Sequence, residues 1–443
     1  MKITLISPYD TISCIGLRRI SSILKTEGYD VRLVFMPKFK HTSREFNRLY
    51  TDQELNQLIE LIDDSLFVGI SVSTNYLPRV AQMCNTFRAA NDRLLLVWGG
   101  IHPTVLPESS LTFCDYACIG EGDKAVIQFA KAIEKNRTNQ KIHVPNFWYK
   151  KNGKLIQTGI MPLTQKLDEL PPPDFSLQEH YILHQGEIKP LTTELFQKYL
   201  DTNFVSPIPD VQELPFHTSH GCPQNCTFCC NSIYFNIYGK NWKCIRTISP
   251  EVLISQLSKI LSQHDFIRLI FFSDDDFLQR SLADLELFAQ LYEKDISLPF
   301  RCYFTPTTLT EKKLKILLDA GLYTFSMGFQ SGSDRTNIEI YKRKVYRKQS
   351  IRAIEIVDKY KDLINTPVYH IVEDNPFETK DDIHCTHDLI KTIPTYWKGK
   401  YFSLTFYPGT ELYRKAVAEG IIQNFENEVV YKDFEKKIIN HTD

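Results

Sequence analysis

The sequence predicts an α/β protein with two successive α/β regions: a doubly wound parallel sheet over residues 1–135 and a partial (β/α)6 barrel over residues 213–415. Apolar strand-like runs alternate with segments of helical spacing in both regions. The strands of the first region are apolar without interruption, as in parallel sheets covered by helices on both faces. The length of 443 residues, with 43% hydrophobic and 24% charged residues, suits two to three globular domains.

The first region alternates strand and helix from its first residues. Its predicted strands are Ile3–Pro8, Val31–Phe35, Leu66–Val72, Leu94–Trp98 and Tyr116–Ile119, and its predicted helices are Gly16–Glu27, Leu55–Asp63 and Arg79–Ala90. Ligands of such sheets bind at the carboxyl ends of the strands. Small and hydroxyl-bearing residues there let a bulky ligand approach the backbone; they lie in Ser73-Thr74-Asn75-Tyr76, Gly99-Gly100-Ile101-His102-Pro103 and Gly120-Glu121-Gly122-Asp123. No GxGxxG follows the first strand, which argues against a dinucleotide.

Residues 136–212 are predicted to be a connector, and residues 416–443 a short C-terminal extension. Within the connector, residues 146–158 predict a hairpin that turns at Asn152-Gly153. The stretch Pro171-Pro172-Pro173-Asp174 is stiff and extended and marks a boundary. Residues 181–210 receive no assignment.

The second region alternates strand and helix again. The predicted strands are Pro215–Ser219, Ile267–Ser273, Phe300–Thr305, Thr324–Phe329, Pro367–Val372 and Tyr401–Phe406, and the predicted helices are Pro250–Ser262, Leu282–Glu293, Glu311–Ala320, Asp334–Tyr341, Lys348–Tyr360 and Lys380–Thr392. Six strands with intervening helices in about 200 residues fit a partial barrel. Functional residues of such barrels cluster at the carboxyl ends of the strands.

Three cysteines follow the first barrel strand, in the run His220-Gly221-Cys222-Pro223-Gln224-Asn225-Cys226-Thr227-Phe228-Cys229. Thiols spaced by three and then two residues can bind three irons of one cubic [4Fe–4S] cluster. Because such clusters are normally closed by four cysteines, the fourth iron is left open for another ligand. The alternative is a zinc site or chance, although zinc sites usually have two CxxC-like pairs and no second pair follows here.

This loop resembles that of the radical S-adenosylmethionine (SAM) enzymes, down to the aromatic Phe228 before the third cysteine. The resemblance implies that the amino and carboxylate groups of SAM chelate the open iron, and that one electron from the cluster cleaves SAM to methionine and a 5′-deoxyadenosyl radical. It also implies that Asp275 binds the SAM ammonium, for which a carboxylate is suited; the alternative is a loop that caps the next helix. Gln330 and Ser331, in a segment similar to Gly-x-Glu-Ser-Gly, would contact the ribose or carboxylate.

Other positions fit the resemblance in more than one way. Arg343 is either a ligand of the SAM carboxylate or a surface arginine, and Arg301 has the same two readings. His220 stands where relatives often have arginine, so a contact of that arginine is changed or missing. The segments 373–379 and 406–412 resemble stretches of the B12-dependent branch and are expected beside substrate, SAM or cobalamin, although Pro-Gly turns before helices also need no functional explanation.

Residues 1–130 resemble the cobalamin-binding domain of B12-dependent radical SAM enzymes, most recognisably at 99–103 and 120–122. The Asp-x-His-x-x-Gly loop whose histidine ligates cobalt is absent. The resemblance therefore implies cobalamin with its dimethylbenzimidazole tail tucked away and no histidine below the cobalt, where Asn75 or Tyr76 is expected instead. His102 is either a ligand or, as its loop position favours, a packing residue. The expected cobalamin contacts are Ser73, Thr74, Asn75, Tyr76, Gly99, Gly100, His102, Gly120, Glu121 and Gly122.

Together these resemblances imply a cobalamin-dependent radical SAM C-methyltransferase. One SAM would methylate cob(I)alamin, and a second would give the radical that abstracts hydrogen from an unactivated substrate carbon. The carbon radical would take the methyl group from methylcobalamin. The alternatives are radical cyclisation, ring contraction or oxidation without methyl transfer, a radical SAM enzyme that has lost cobalamin, and a non-enzymatic iron–sulfur or cobalamin sensor. No side chain is assigned as catalytic.

The composition limits the partners and the cellular location that we expect for this chain. The net charge of −1 gives no basic field for nucleic acid. No apolar run reaches the roughly 18 residues that span a bilayer, and the N-terminus predicts a strand and not a signal peptide. Eleven cysteines without paired spacings indicate a reducing compartment, so we expect a cytoplasmic protein. The expected partners are a small-molecule or peptide substrate and an electron donor such as flavodoxin or ferredoxin.

Overall fold

The structure is a computed structural model that describes residues 1–38, 48–136, 141–200, 211–394, 397–425 and 435–441. It divides into two compact units. The first consists mainly of Met1–Gln165 and Glu169–Phe204, and the second mainly of Val205–Gln423 with the strand Glu435–His441. Residues 137–140 and 201–210 of the predicted connector lie outside the described residues, as do 426–434 and 442–443 of the predicted C-terminal extension.

The first unit is built on a nine-stranded sheet. Its strands are β1 (Lys2–Ser7), β2 (Asp30–Phe35), β3 (Ser65–Ser71), β4 (Leu96–Gly99), β5 (Tyr116–Cys118), β6 (Phe147–Lys151), β7 (Lys154–Ile156), β8 (His180–His184) and β9 (Glu187–Pro190), in the spatial order β7-β6-β5-β4-β3-β1-β2-β8-β9. The neighbours β8, β2, β1, β3, β4 and β5 pair in parallel. Because β2 and β3 lie on opposite sides of β1, a crevice opens at the carboxyl ends of β1 and β3, where ligands of such sheets bind.

The edges of this sheet are antiparallel, unlike its centre. β6 pairs antiparallel with β5 and β7, and β9 with β8. Short hairpins can only join antiparallel strands. The predicted turn at Asn152-Gly153 is confirmed, since both residues have positive φ, 51° and 75°, as a type I′ turn requires. The strands β6 to β9, which lie in the predicted connector, therefore form the two edges of the first sheet.

Seven helices accompany the described strands of the first unit. They are α1 (Ile15–Thr26), α2 (Asp52–Ile62), α3 (Leu77–Ala90), α4 (Ile101–Val105), α5 (Pro107–Ser110), α6 (Ala125–Lys135) and α7 (Thr193–Leu200). The guanidinium of Arg18 in α1 is fully buried and lies 4.4 Å from the ring centroid of Phe175. It donates to the carbonyl of Asp174 at 2.7 Å. Arg18 thereby fixes the end of the proline-rich stretch against α1.

The second unit is a partial barrel. Its strands are β10 (Glu213–Phe216), β11 (Ser219–His220), β12 (Arg246–Thr247), β13 (Leu269–Phe272), β14 (Phe300–Phe304), β15 (Leu322–Gln330), β16 (Val368–Glu373), β17 (Trp397–Ser403) and β18 (Glu435–His441). The main sheet has the order β10-β13-β14-β15-β16-β17-β18, and all its pairs are parallel except β17–β18. The six predicted strands are thus confirmed, and an antiparallel strand from the expected extension adds to them.

Eight α-helices accompany the described strands of the second unit. They are α8 (Asn231–Tyr238), α9 (Lys240–Lys243), α10 (Pro250–Leu261), α11 (Leu282–Asp295), α12 (Glu311–Asp319), α13 (Arg347–Asp358), α14 (Lys380–Ile390) and α15 (Glu411–Ala418). Phe272 of β13 packs against Phe288 of α11 at 5.5 Å between ring centroids. Across the described residues of both units, no helix combines the length and the apolar character that a membrane crossing needs.

Candidate functional site

The three cysteines lie in the loop between β11 and α8. Gly221 precedes them with φ +97°, and a Cβ on it would stand 2.7 Å from the carbonyl oxygen of Trp242, so only glycine fits. Thr227 anchors the loop: its backbone N–H donates to Tyr341 O at 2.9 Å and its hydroxyl to Ile340 O at 2.7 Å. Sequence reasoning missed Thr227, whose only signal is a small polar residue inside the motif.

Phe228 is half-buried and packs against an apolar cluster beside this loop. Its ring meets Tyr341 edge-on at 4.8 Å. It joins an apolar cluster that also contains Ile340, Leu404, Phe406, Leu412 and Ala416. The structure thus gives Phe228 a packing contact that holds the loop against the π-helical turn Thr336–Ile340 and α15.

The thiols of the loop are held in a desolvated setting. Burial raises the pKa of Cys226 to about 11, and burial and the charge of Asp275 raise the pKa of Cys222. Such thiols become ligands when metal replaces the proton. Among the residues that the structure describes, the three do not bring their sulfur atoms within 4.8 Å of one another.

Three consecutive carboxylates follow β13, and the structure separates their roles. Asp274 accepts from the Thr218 and Ser219 N–H groups at 2.6 and 3.0 Å. Asp276 caps the next turn through the Leu278 N–H at 3.1 Å.

Asp275 alone of the three faces the cysteine loop. It is exposed and accepts from Asn231 Nδ2 at 2.8 Å. The capping role that was the alternative for Asp275 belongs to Asp276.

Gln330 and Arg343 converge beside Cys226. Gln330 ends β15 with φ +64°, and its side chain folds back so closely that a Cβ on Gly328 would stand 2.5 Å from Gln330 Nε2. Arg343 is 9% exposed, donates through Nη2 to Gly328 O at 2.9 Å, and hydrogen-bonds the Cys226 thiol. Its buried Nε has no partner. A surface position for Arg343 is therefore wrong, and its free donor suits an anion.

Ser331 and Arg301 lie elsewhere. The Ser331 hydroxyl contacts Glu378 Oε1 at 3.1 Å and Thr386 Oγ1 at 3.0 Å, so it is engaged within the protein. Arg301 is buried and bonded to Glu213 through two guanidinium nitrogens, with Nη2–Oε1 at 2.6 Å. Both earlier readings of Arg301, a SAM ligand and a surface residue, are therefore wrong.

The predicted segments at the ends of β16 and β17 mainly support this site. Asn375 Nδ2 donates to Tyr341 Oη at 3.1 Å, and the Thr410 hydroxyl donates to Tyr407 O at 2.7 Å. The first contact buttresses the ring that packs on Phe228. The Thr410 hydroxyl also caps the start of α15 by accepting from the Tyr413 N–H at 3.2 Å.

In the first unit, a cavity of about 210 Å³ opens at the predicted ligand edge. Glycines line it: Gly16, Gly69, Gly99, Gly100, Gly120 and Gly122. A Cβ on Gly99 would meet nothing closer than Cys118 Cβ at 4.0 Å, and one on Gly122 nothing closer than 3.5 Å, both without positive φ. The backbone therefore does not require glycine at Gly99 and Gly122. A side chain at either position would instead take up space in the cavity, so glycine keeps the cavity open.

The polar residues after β3 form a second group. Thr74 Oγ1 lies 3.2 Å from His102 Nδ1, and the Tyr76 ring meets Tyr9 at 4.9 Å between centroids. Asn75 is buried, whereas Ser73 and Tyr76 are partly exposed. His102 is 1% exposed, and burial lowers its pKa to about 4. It is thus a neutral packing histidine, and the reading of His102 as a cofactor contact does not fit this position.

The remaining predicted contacts border the cavity. Gly120 has φ +77°, and its N–H donates to Thr104 Oγ1 at 3.1 Å. The carbonyl of Glu121 accepts from Asn146 Nδ2 at 3.2 Å. The Gly100 φ of +101° and its approach to Val72 O, 2.9 Å from a would-be Cβ, require glycine for the backbone alone.

Comparison with protein families assigns both units. Residues 1–130 match the model of the B12 binding domain, and residues 216–383 match that of the radical SAM superfamily. The chain therefore carries a B12-binding domain and a radical SAM domain. The radical SAM domain implies a [4Fe–4S] cluster and SAM, and the B12-binding domain implies cobalamin, as predicted.

Relatives match nearly the whole chain. The protein named uncharacterized methyltransferase PH0819 of Pyrococcus horikoshii is 26% identical over 414 residues, which cover 91% of this chain and 82% of that protein. The radical SAM methyltransferase TsrM of Kitasatospora setae, with cobalamin and a [4Fe–4S] cluster bound, superimposes with a TM-score of 0.68 at 14% identity over 94% of this chain and 75% of that one. The cobalamin-dependent SAM radical enzyme OxsB gives a TM-score of 0.65 at 17% identity, over 94% and 55%. These two structures share the fold of this chain.

Proposed function

We propose that this protein is a cobalamin-dependent radical SAM methyltransferase that methylates an unactivated carbon of a small-molecule or peptide substrate. The observation that carries the proposal is the group around the cysteine loop: three desolvated thiols, the exposed carboxylate of Asp275 and the buried guanidinium of Arg343 with its unpaired Nε. Methyl transfer as the outcome is supported by the whole-chain similarity to a protein named as a methyltransferase.

The residues of the second unit divide the work of holding the cofactors. Cys222, Cys226 and Cys229 would hold the cluster. Asp275 would receive the SAM ammonium and Arg343 the SAM carboxylate, so that opposite charges meet at both ends of the amino acid moiety. Gln330, which can donate and accept hydrogen bonds, would bind the ribose hydroxyls. When bound, the cluster and SAM supply a carbon radical, and cobalamin supplies the methyl group.

The residues of the first unit would bind cobalamin. Gly99 and Gly122 keep the cradle open for its tail. Asn75 or Tyr76, after β3, would lie at the lower face of the corrin. Because His102 is buried and bonded to Thr74, it would hold that loop in place and not reach the cobalt.

A one-electron donor such as flavodoxin or ferredoxin would supply the electron that reduces the cluster. The cytoplasm is the proposed location. All eleven cysteines are free, as a reducing compartment would keep them.

The test is anaerobic reconstitution of the full chain with iron, sulfide and hydroxocobalamin, followed by addition of SAM and a reductant. We expect cluster and cobalamin absorbance, and 5′-deoxyadenosine as a product. Cys226→Ala should lose the cluster, whereas the matched variant Cys244→Ala, at an exposed position outside the motif, should keep it. With the true substrate, S-adenosylhomocysteine should form together with 5′-deoxyadenosine. Formation of 5′-deoxyadenosine alone would instead favour cyclisation, ring contraction or oxidation.

A further inference from the structure

The segment α8–α9 (residues 231–243) leaves the cysteine loop and returns to it. It begins at Asn231, directly after the cysteine run, and it ends before β12, which pairs antiparallel with β11 at the start of the loop. The backbone of Gly221 packs against the far end of the segment, because a Cβ on Gly221 would stand 2.7 Å from the carbonyl oxygen of Trp242. A protein that binds to the outer surface of α8–α9 therefore also comes close to the three cysteines.

Three aromatic rings give this segment an ordered surface. The ring of Trp242 stacks on Tyr234 at 4.7 Å between centroids and on Tyr238 at 6.2 Å, both with an interplanar angle of 21°. Trp242 is buried, whereas Tyr234 and Tyr238 are half-buried and reach the surface. Tyrosine and tryptophan are enriched at protein interfaces, and a surface that is already ordered loses little entropy when a partner binds. The stack therefore suits a docking surface.

The same stretch of chain is basic. Between residues 214 and 250 the sequence contains Lys240, Lys243 and Arg246 and no aspartate or glutamate, although the whole chain has a net charge of −1. Lys240 is exposed at the start of α9, and it forms no ion pair with any residue that the structure describes. The guanidinium of Arg246 lies 5.7 Å from the ring centroid of Trp242. A local positive potential of this kind attracts acidic partners.

Carboxylates from other elements meet the two ends of this stretch. At one end, Asp275 accepts from Asn231 Nδ2 at 2.8 Å and, in the proposed function, receives the SAM ammonium. At the other end, Asp168 accepts from the backbone N–H of Ser249 at 2.7 Å. Both carboxylates are thus bonded to their own partners, and the charge of Lys240 remains available to a docked protein.

We infer that the α8–α9 segment is the docking surface for the protein that reduces the cluster, and that this protein is an acidic one-electron carrier. The inference rests on the proposed function, because it gives the position and the charge of the partner of that same cluster. Lys240 would meet acidic side chains of the carrier, while Tyr234 and Tyr238 would pack against its surface. With flavodoxin as the carrier, one electron passes to the cluster and the anionic flavin hydroquinone becomes the neutral semiquinone, so no proton has to move.

Flavodoxin, an acidic one-electron carrier, is the probe for this surface. Binding of its oxidised form would be measured by anaerobic calorimetry, at low ionic strength, on the full chain loaded with cluster and cobalamin. We expect Lys240→Glu to weaken binding at least about fivefold, because an attraction at the rim becomes a repulsion. The matched charge reversal Lys315→Glu, at an exposed position of α12, should bind as the wild type does. In about 1 M salt, where the Debye length is about 3 Å, the difference should vanish.

A second measurement separates docking from the properties of the cluster. Reduction of the cluster by flavodoxin hydroquinone, followed by absorbance, should slow in Lys240→Glu by a factor similar to the loss of affinity. Reduction by photoreduced deazariboflavin, a small uncharged reductant that needs no docking surface, should be unchanged. Circular dichroism of Lys240→Glu verifies its fold.

Five results would overturn the inference: no binding of flavodoxin to the wild type, an affinity that does not depend on salt, unchanged binding in Lys240→Glu, equal weakening in Lys315→Glu, or slower reduction of Lys240→Glu by both reductants. Failure of the proposed function would look different. The wild type would then lack cluster absorbance, or would form no 5′-deoxyadenosine with SAM and photoreduced deazariboflavin. A cluster that deazariboflavin reduces normally, in a protein that flavodoxin does not bind, would remove only the docking surface.

Discussion

Replacing Arg301 by leucine should strongly destabilise the barrel unit. Arg301 and Glu213 are 1% and 0% exposed, and the guanidinium also stacks 3.4 Å above the Phe271 ring centroid. In Arg301→Leu, the Glu213 carboxylate would lose both bonds to the guanidinium and remain buried. Breaking a buried pair in this way costs about 3–5 kcal/mol. Two charge-assisted hydrogen bonds at roughly 1.5–3 kcal/mol each lead to a similar value.

The assay is anaerobic differential scanning calorimetry of the full chain. For a unit of about 200 residues, each kcal/mol shifts the midpoint by roughly 2–4 °C, so the barrel transition should fall by about 6–20 °C. The double variant Glu213→Leu/Arg301→Leu should recover most of this loss, because apolar replacement of a buried pair is often neutral. Lys359→Met, which breaks the exposed pair with Glu311, is the control and should leave the midpoint unchanged.

Two outcomes would refute this reasoning. A shift below about 3 °C in Arg301→Leu would mean that water or another group replaces the guanidinium. A double variant as unstable as the single one would mean that Arg301 acts through packing on Phe271 and not through the charge of Glu213.

Three further predictions follow from other contacts. Gly99→Leu should fill the glycine-lined cavity and weaken cobalamin binding at least about tenfold, as measured by absorbance titration. The control Ala90→Leu, on the exposed end of α3, should bind cobalamin as the wild type does. Unchanged binding in Gly99→Leu would exclude the cavity as the site of the cobalamin tail. Arg343→Met should raise the SAM dissociation constant, measured by calorimetry, at least about tenfold, whereas the control Lys344→Met should leave it unchanged. Equal dissociation constants for Arg343→Met and the wild type would show that Arg343 does not bind the SAM carboxylate. Burial lowers the pKa of His180 to about 4, from a value near 6.5 in the unfolded chain. Because the unfolded chain therefore binds the proton more strongly, the free energy of unfolding should fall by on the order of 3 kcal/mol as the pH drops from about 6.5 to about 4. The pH dependence of thermal unfolding should flatten in His180→Asn, and an equally steep profile in that variant would contradict this assignment.

Local sequence patterns predicted much of the secondary structure. The apolar run of β1 and the glycine after α1 mark their elements without tertiary information, and the turn at Asn152-Gly153 has φ values that those two residue types tolerate. The partners of a strand are not local, however. β8 pairs with β2 from more than 140 residues away, and β18 joins β17 antiparallel, which no periodicity within either segment indicates.

The candidate site, too, could be predicted from the sequence only in part. Cys222, Cys226 and Cys229 could be identified from their spacing alone, because cluster ligands on one loop must lie close together in sequence. Asp274, Asp275 and Asp276 are indistinguishable as letters, since each could accept a hydrogen bond. Only the fold uses Asp274 and Asp276 to hold the backbone and leaves Asp275 facing the thiols.

The two arginines show what the tertiary structure alone decided. In the sequence, Arg301 lies within a predicted barrel strand and Arg343 follows one, and both suit a carboxylate. In the structure, Glu213 from a non-adjacent strand neutralises Arg301, whereas Arg343 reaches Cys226 with a donor to spare. The sequence by itself determined which chemistry the chain can perform, because that chemistry depends on residue types at short spacings. Only the tertiary structure decided which charges remain available for it, because a charge is neutralised by whatever the folded chain places beside it.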